Sequence, residues 1–149
     1  MKRTPLRRKK PLARGNSQLK RTPMKQQSAK FRKRAKEVKP GRDALIKQQW
    51  LCECCIKRQS VCVHEIANGP NRQLALDMRE VTMAVCSRCN QYELTDKGKW
   101  PVAWQLGMLR HSRPDDFNLD KANSVLIVKV SMEEVDSLPK DWWTLIAKD

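Results

Sequence analysis

The chain opens with single apolar residues separated by cations and prolines, and only later gathers its apolar residues into runs. Lys2-Arg3-Thr4-Pro5-Leu6 recurs as Lys20-Arg21-Thr22-Pro23-Met24, with Lys10-Pro11-Leu12 as a partial copy. Proline every few residues blocks helix and like charges repel, so residues 1–27 are expected to be extended and disordered in isolation. Residues 28–38 suit a short basic helix, ended by Pro40-Gly41. Asp43 can cap a second helix reaching about Trp50, with Ala44, Leu45 and Trp50 available to a core.

Periodicity then shortens to that of strands. Ser60-Val61-Cys62-Val63 predicts a strand that delivers His64 to its end. Asn68-Gly69-Pro70-Asn71 has turn chemistry and begins a polar excursion through Arg79. Val81-Thr82-Met83-Ala84-Val85, apolar and β-branched, predicts the returning strand. A helix is expected after Cys89, carrying Asn90, Glu93 and Leu94 until Lys97-Gly98 breaks it. Trp100-Pro101 opens another, with Val102, Leu106 and Leu109 on one face and Trp104 flanking it. Pro114-Asp115-Asp116 reads as a loop and Val125–Val130 as a strand. Ser131-x-x-Glu134 is a capping-box signal for a short last turn. Trp142-Trp143 read as lids on the core rather than base-stacking platforms, because no basic residues surround them.

Cysteine spacing brings in chemistry. Cys52-Glu53-Cys54-Cys55 and Cys86-Ser87-Arg88-Cys89 are two C-x-x-C pairs separated by thirty residues. Each such turn lets two thiolates converge on one ion, and two pairs complete a tetrahedron. Cys52, Cys55, Cys86 and Cys89 are therefore the expected ligands of a structural zinc ion. A redox dithiol would need one pair at the start of a helix in a βαβ pattern, which this chain lacks. Cys54 reads as a bystander inside the knuckle, and Cys62 as a small buried strand residue. Knuckle, hairpin and helix around zinc make a treble-clef layout.

Charge divides the chain. Residues 1–42 carry 17 Lys/Arg against one acid, whereas residues 43–149 carry 14 against 15. The excess positive charge of +15 thus lies in the N-terminal arm, and the body is near neutral. That is the electrostatic footprint of a polyanion binder, held through counterion release. Lys9, Lys10, Arg32 and Arg34 are candidate phosphate contacts in the arm. Arg72, Arg79 and Arg88 are candidates in the body, where solvated surface charge is the equal alternative. His111, beside Arg110 and Arg113, suits a surface cap or a phosphate contact. No apolar signal region opens the chain and no run is long enough to cross a membrane, so a cytoplasmic protein is expected.

The order Cys-x-x-Cys, Val63-His64-Glu65-Ile66, then a strand ending in Cys86-x-x-Cys89-Asn90, resembles the zinc-stabilised HNH endonucleases, the ββα-metal nucleases. The Lys-Arg-Thr-Pro-Leu start is similar to the basic leader of such proteins in bacteriophages and prophages. Trp100-Pro101, Gln105-Leu106 and Asp116-Phe117-Asn118-Leu119 extend the likeness, which covers residues 42–124. It implies an α+β fold: a small treble-clef ββα-metal zinc domain with flanking helices and a disordered basic N-terminal arm. Residues 1–41 would be the arm, 42–124 the zinc domain, and 125–149 a C-terminal strand and short helix packed on it. The family pattern puts metal ligands at His64 and Asn90, and the general base, normally histidine, at Glu65. Val81 stands where the middle Asn of the motif belongs. Another assignment makes His64 the base and Glu65 a ligand of a hard cation such as Mg²⁺.

The implied activity is hydrolysis of DNA phosphodiesters with Mg²⁺ or another divalent cation, inside the host cytoplasm if the protein is phage-encoded. The alternative is a treble-clef module that binds DNA or RNA without turnover, which Glu65 and Val81 favour. A tail that engages a host polymerase or ribosome is a third possibility, with no residue pointing to it. Oligomeric state is not legible.

Overall fold

The computed structural model describes residues 29–95 and 100–146, apart from the side chain of Phe31. The expectations for residues 1–28, including Lys9 and Lys10, and for the Lys97-Gly98 break lie outside the described residues.

One helix, α1 (Ala29–Gln48), replaces the two short helices expected on either side of Pro40-Gly41. Proline inside a helix removes one hydrogen bond and crowds the preceding turn. Here tertiary contacts hold both halves. Val38 and Leu45, seven residues apart on one stripe, are buried, and Arg42 between them donates to Val63 O at 2.8 Å. Arg34 in the first half donates to Asp77 at 3.0 Å. The helix therefore crosses the boundary expected at residues 41 and 42. Trp50 was expected in the core but is 65% exposed. The helix stops before it, and Trp50 O accepts from Ser60 N at 2.8 Å in an extended segment.

β1 (Cys62–Glu65) and β2 (Thr82–Val85) form an antiparallel hairpin pairing Cys62 with Val85, Val63 with Ala84, His64 with Met83 and Glu65 with Thr82. Alternation assigns the faces. Val63 and Ala84 meet Leu45 of α1, whereas Met83 and Val85 join the main core with the cysteines, Leu106 and Leu109. Every residue of β2 is buried because both sheet faces are covered. Between the strands, the Asn68–Asn71 turn leads into the single turn α2 (Arg72–Ala75). Gly69 has φ +63, a left-handed conformation that glycine adopts without steric cost.

After β2 the chain makes a π-helical turn over Cys89–Glu93 in place of a regular helix. α3 (Val102–Ser112) then starts behind Pro101 and buries Leu106, Met108 and Leu109. α4 (Leu119–Val125) is capped by Asn118, whose side chain accepts from Lys121 N. The strand expected at Val125–Val130 is absent. A strand needs a partner edge, and here one side chain takes that role. Asn123 donates to Val130 O and accepts from Val130 N, both at 2.9 Å, leaving Ile127 and Val128 exposed in an irregular segment. α5 (Met132–Asp136) begins with the expected capping box of Ser131 and Glu134. In α6 (Trp142–Leu145), Trp142 does lie over the core, and its Nε1 donates to Cys54 O at 2.8 Å.

A buried ion pair joins these layers. Glu53, inside the first knuckle, accepts from Arg113 Nε at 2.7 Å and from Ser112 Oγ and Ala84 N at 2.5 Å each. Arg113 also donates to Thr82 O and, at 2.7 Å, to Asp116. Knuckle, β2 and the end of α3 thus share one satisfied polar network. Removing one partner leaves the other as an uncompensated buried charge. Arg113→Ala should cost roughly 3 to 5 kcal/mol in urea unfolding of the zinc-loaded protein, and a loss below about 1 kcal/mol would show that water reaches the pair.

Candidate metal centre

The two knuckles converge because the first is hydrogen-bonded to β2 and the second follows β2 directly in the chain. Glu53 N donates to Ala84 O at 3.0 Å, and Cys52 N to Arg58 O at 2.8 Å. Ile56 N donates to Cys52 O at 2.8 Å, closing the first turn. Ile56 has φ +53, a conformation that a β-branched residue adopts only under strain. Strain of this kind persists where surrounding contacts over-determine the backbone, as at a ligand site. In the second knuckle, Cys89 N donates to Cys86 Sγ at 3.4 Å.

The sulfurs of Cys52, Cys55, Cys86 and Cys89 all lie within 4.8 Å of one another, and all four residues are buried. A tetrahedral ZnS₄ site with bonds of about 2.3 Å has edges of about 3.8 Å, so a small contraction seats the ion. The soft, all-sulfur donor set suits zinc. Hydrogen bonding with Cys55, then Cys89, then burial raises the Cys52 thiol pKa, while contact with Cys52 lowers that of Cys55. Cys54 is fully buried beside Cys89 yet outside the four-sulfur group, and Cys62 is a half-buried strand residue.

His64 and Asn90 meet beside this centre. His64 Nδ1 is 3.0 Å from Asn90 Oδ1, and His64 Nε2 is 3.1 Å from Gln105 Oε1. His64 is 9% exposed, and burial is the main cause that lowers its pKa from the ordinary 6.5. Burial outweighs the opposing effect of the Asn90 and Gln105 contacts and so favours the neutral imidazole, the form that can ligate a metal. In the sequence Gln105 stands out only as part of the family likeness, with no role attached to it.

Glu65 is placed elsewhere. Adjacent strand residues point to opposite faces, and the Glu65 carboxylate meets Arg72 Nη2 at 2.9 Å through Oε2 and Arg42 Nη2 at 2.8 Å through Oε1. Arg42 gives its hydrogen bond to Val63 O instead, so its contact with Oε1 is Coulombic and that oxygen lacks a hydrogen bond. Val81, at the position of the motif's middle Asn, is fully buried, and its carbonyl accepts from Ile66 N at 2.9 Å.

The candidate phosphate contacts also separate. Arg72 is held by Glu65. Arg79 donates to Gln48 and pairs with Asp116 at 3.1 Å. Arg34 pairs with Asp77, Arg88 is half-buried in the second knuckle, and Arg32 is exposed. His111 packs edge-on against Trp142, with ring centroids 4.9 Å apart, where a helix cap or phosphate contact was expected. Among the described residues, no helix is long and apolar enough to cross a membrane. No family model matches the chain, and no curated protein or solved structure matches it.

Zinc thiolates must lose their protons to bind, so zinc affinity should fall as pH falls. One zinc per chain is the expected stoichiometry by metal analysis. Cys86→Ser should lose both the metal and the near-ultraviolet circular dichroism of the buried tryptophans, whereas Cys54→Ser keeps both. Full zinc retention in Cys86→Ser would rule out the four-sulfur assignment.

Proposed function

We propose that this protein is a metal-dependent endonuclease that hydrolyses DNA phosphodiesters, with a structural zinc ion at Cys52, Cys55, Cys86 and Cys89 in a treble-clef arrangement. The observation that carries the reading is the approach of His64 Nδ1 to Asn90 Oδ1 at 3.0 Å beside the cysteine centre. Two neighbouring ligands of an octahedral ion with bonds of about 2.1 Å stand about 3.0 Å apart. The amide oxygen suits a hard cation such as Mg²⁺ or Mn²⁺, whereas the imidazole nitrogen is a softer donor that favours a transition-metal ion over Mg²⁺. Such an ion, when bound, would stabilise charge building on the phosphorane and lower the pKa of a bound water.

His64 and Asn90 would hold that ion, from the end of β1 and the turn after Cys89. Asn90 is half-exposed, so the pair is open to a ligand from outside. Glu65 is more suited to clamping α1 and α2 onto the hairpin than to taking a proton at this site. Exposed Arg32, Lys33 and Lys36 on α1 continue the basic arm toward the domain, which supports a nucleic-acid partner gripped through phosphates. A cytoplasmic, phage-type setting is part of the same reading and rests on the resemblance of the leader.

Val81 favours a second reading, a binding module without turnover. Its apolar side chain is sealed in the core where the nuclease pattern has a polar residue.

Cleavage of supercoiled plasmid by zinc-loaded protein in Mg²⁺ or Mn²⁺ separates the two. Nicking should appear and should fall in His64→Ala by more than the roughly 10–100-fold that outer partners of metal ligands control, with DNA binding kept. Salt-sensitive binding without cleavage in either metal would establish the binding module. Glu65→Gln should keep cleavage within about tenfold and lose about 1 to 3 kcal/mol in urea unfolding, because charge-assisted hydrogen bonds are lost. Complete loss of cleavage in a folded Glu65→Gln protein would restore Glu65 to the chemistry.

A further inference from the structure

The geometry points to Gln105 as a positioning residue that locks His64 in the Nε2–H tautomer and turns its Nδ1 lone pair toward Asn90. The inference deepens the metal-site reading and rests on it for its functional meaning. Its structural content is independent of cleavage.

The lock is a chain of hydrogen bonds with one consistent direction. Gln105 Nε2 donates to Trp100 O at 2.9 Å. A carbonyl accepts only, so this bond assigns the amide nitrogen to the Trp100 side and leaves Oε1 facing His64. Oε1 in turn can only accept, and His64 Nε2 lies 3.1 Å from it. A neutral imidazole has one N–H, yet two amide oxygens face it, Gln105 Oε1 and Asn90 Oδ1. Gln105 is buried with its nitrogen committed to Trp100, whereas half-exposed Asn90 can turn its amide to donate to the ring or share a cation with it, so the proton belongs on Nε2 and the lone pair on Nδ1. Trp100 is held as well, its Nε1 donating to Glu93 Oε2 at 3.1 Å. Gln105 and Trp100 are 5% and 8% exposed and Glu93 is 3% exposed, so water offers little competition.

The reverse arrangement is costly. Were His64 protonated on Nδ1, Nε2 and Gln105 Oε1 would face each other as two acceptors in a buried site, each without a donor. α3 thus decides which nitrogen of a β1 histidine is available as a ligand. Outer partners of ligating histidines commonly fix tautomer and ring orientation in this way.

The test is nitrogen-15 NMR of the histidine side chains in zinc-loaded protein, without a second metal or DNA. His64→Ala assigns the signals against His111. Wild type should show a protonated-type Nε2 and an unprotonated-type Nδ1 at His64. Gln105→Met, of similar size but without an acceptor, should shift His64 toward the Nδ1–H form. Gln105→Glu, which keeps an oxygen facing Nε2, should restore Nε2–H. Added Mn²⁺ should bind Gln105→Met roughly 10–100-fold more weakly than wild type.

A wild-type Nδ1–H tautomer would overturn the inference. So would an unchanged tautomer in a folded Gln105→Met protein, which is the result for a merely structural glutamine. If Gln105→Met does not fold, wild type and Gln105→Glu decide the matter by the same signals. A wild type that holds Nε2–H but binds no Mn²⁺ would leave the lock standing and sink the metal-site reading instead.

Discussion

Four sulfurs brought within 4.8 Å of one another are the constraint on which the rest of this structure depends. A two-stranded hairpin by itself is at best marginally stable in water, and among the described residues the sheet consists of β1 and β2. Each knuckle lies at one end of that hairpin in sequence, so one ion would tie both to a common point. Binding free energy at such a site is folding free energy. The strained backbone at Ile56 and the buried Glu53–Arg113 pair are tolerable in that setting, because both are held from several sides at once.

The register of the hairpin follows and divides two neighbouring residues. His64 turns into the main core beside Asn90 and Gln105, whereas Glu65 turns toward Arg42 of α1 and Arg72 of α2. A one-residue slip would exchange these roles and expose the cysteine face. Two polar clusters therefore flank a single strand with different consequences. The histidine side gathers two uncharged amide oxygens around one imidazole. The glutamate side closes on itself as Arg42, Glu65 and Arg72, and its effect is to dock a helix.

The sequence made legible whatever depended on local spacing. The C-x-x-C pairs, the hairpin strands, the Ser131 capping box and Trp142 over the core all follow from nearest-neighbour chemistry. Expectations failed where distant residues decided. Pro40-Gly41 looked like a helix end, but Val38, Arg42 and Leu45 keep α1 docked through it. Val125–Val130 has the composition of a strand, but Asn123 satisfies Val130, and among the described residues no strand pairs with it. Within the candidate site, His64 and Asn90 were found through their order relative to the cysteines. The pairing of Glu53 with Arg113 and the role of Gln105, named only within the family likeness, were not, because their partners lie 41 to 60 residues away in the chain.

Anomalous diffraction from a crystal of the zinc-loaded protein soaked in Mn²⁺, recorded on both sides of the zinc edge and at long wavelength for manganese, tests the central claim most directly. Zinc density should lie among the sulfurs of Cys52, Cys55, Cys86 and Cys89, with a separate manganese peak between His64 Nδ1 and Asn90 Oδ1. Zinc bound through His64, or a soaked crystal with no manganese at that pair, would contradict it.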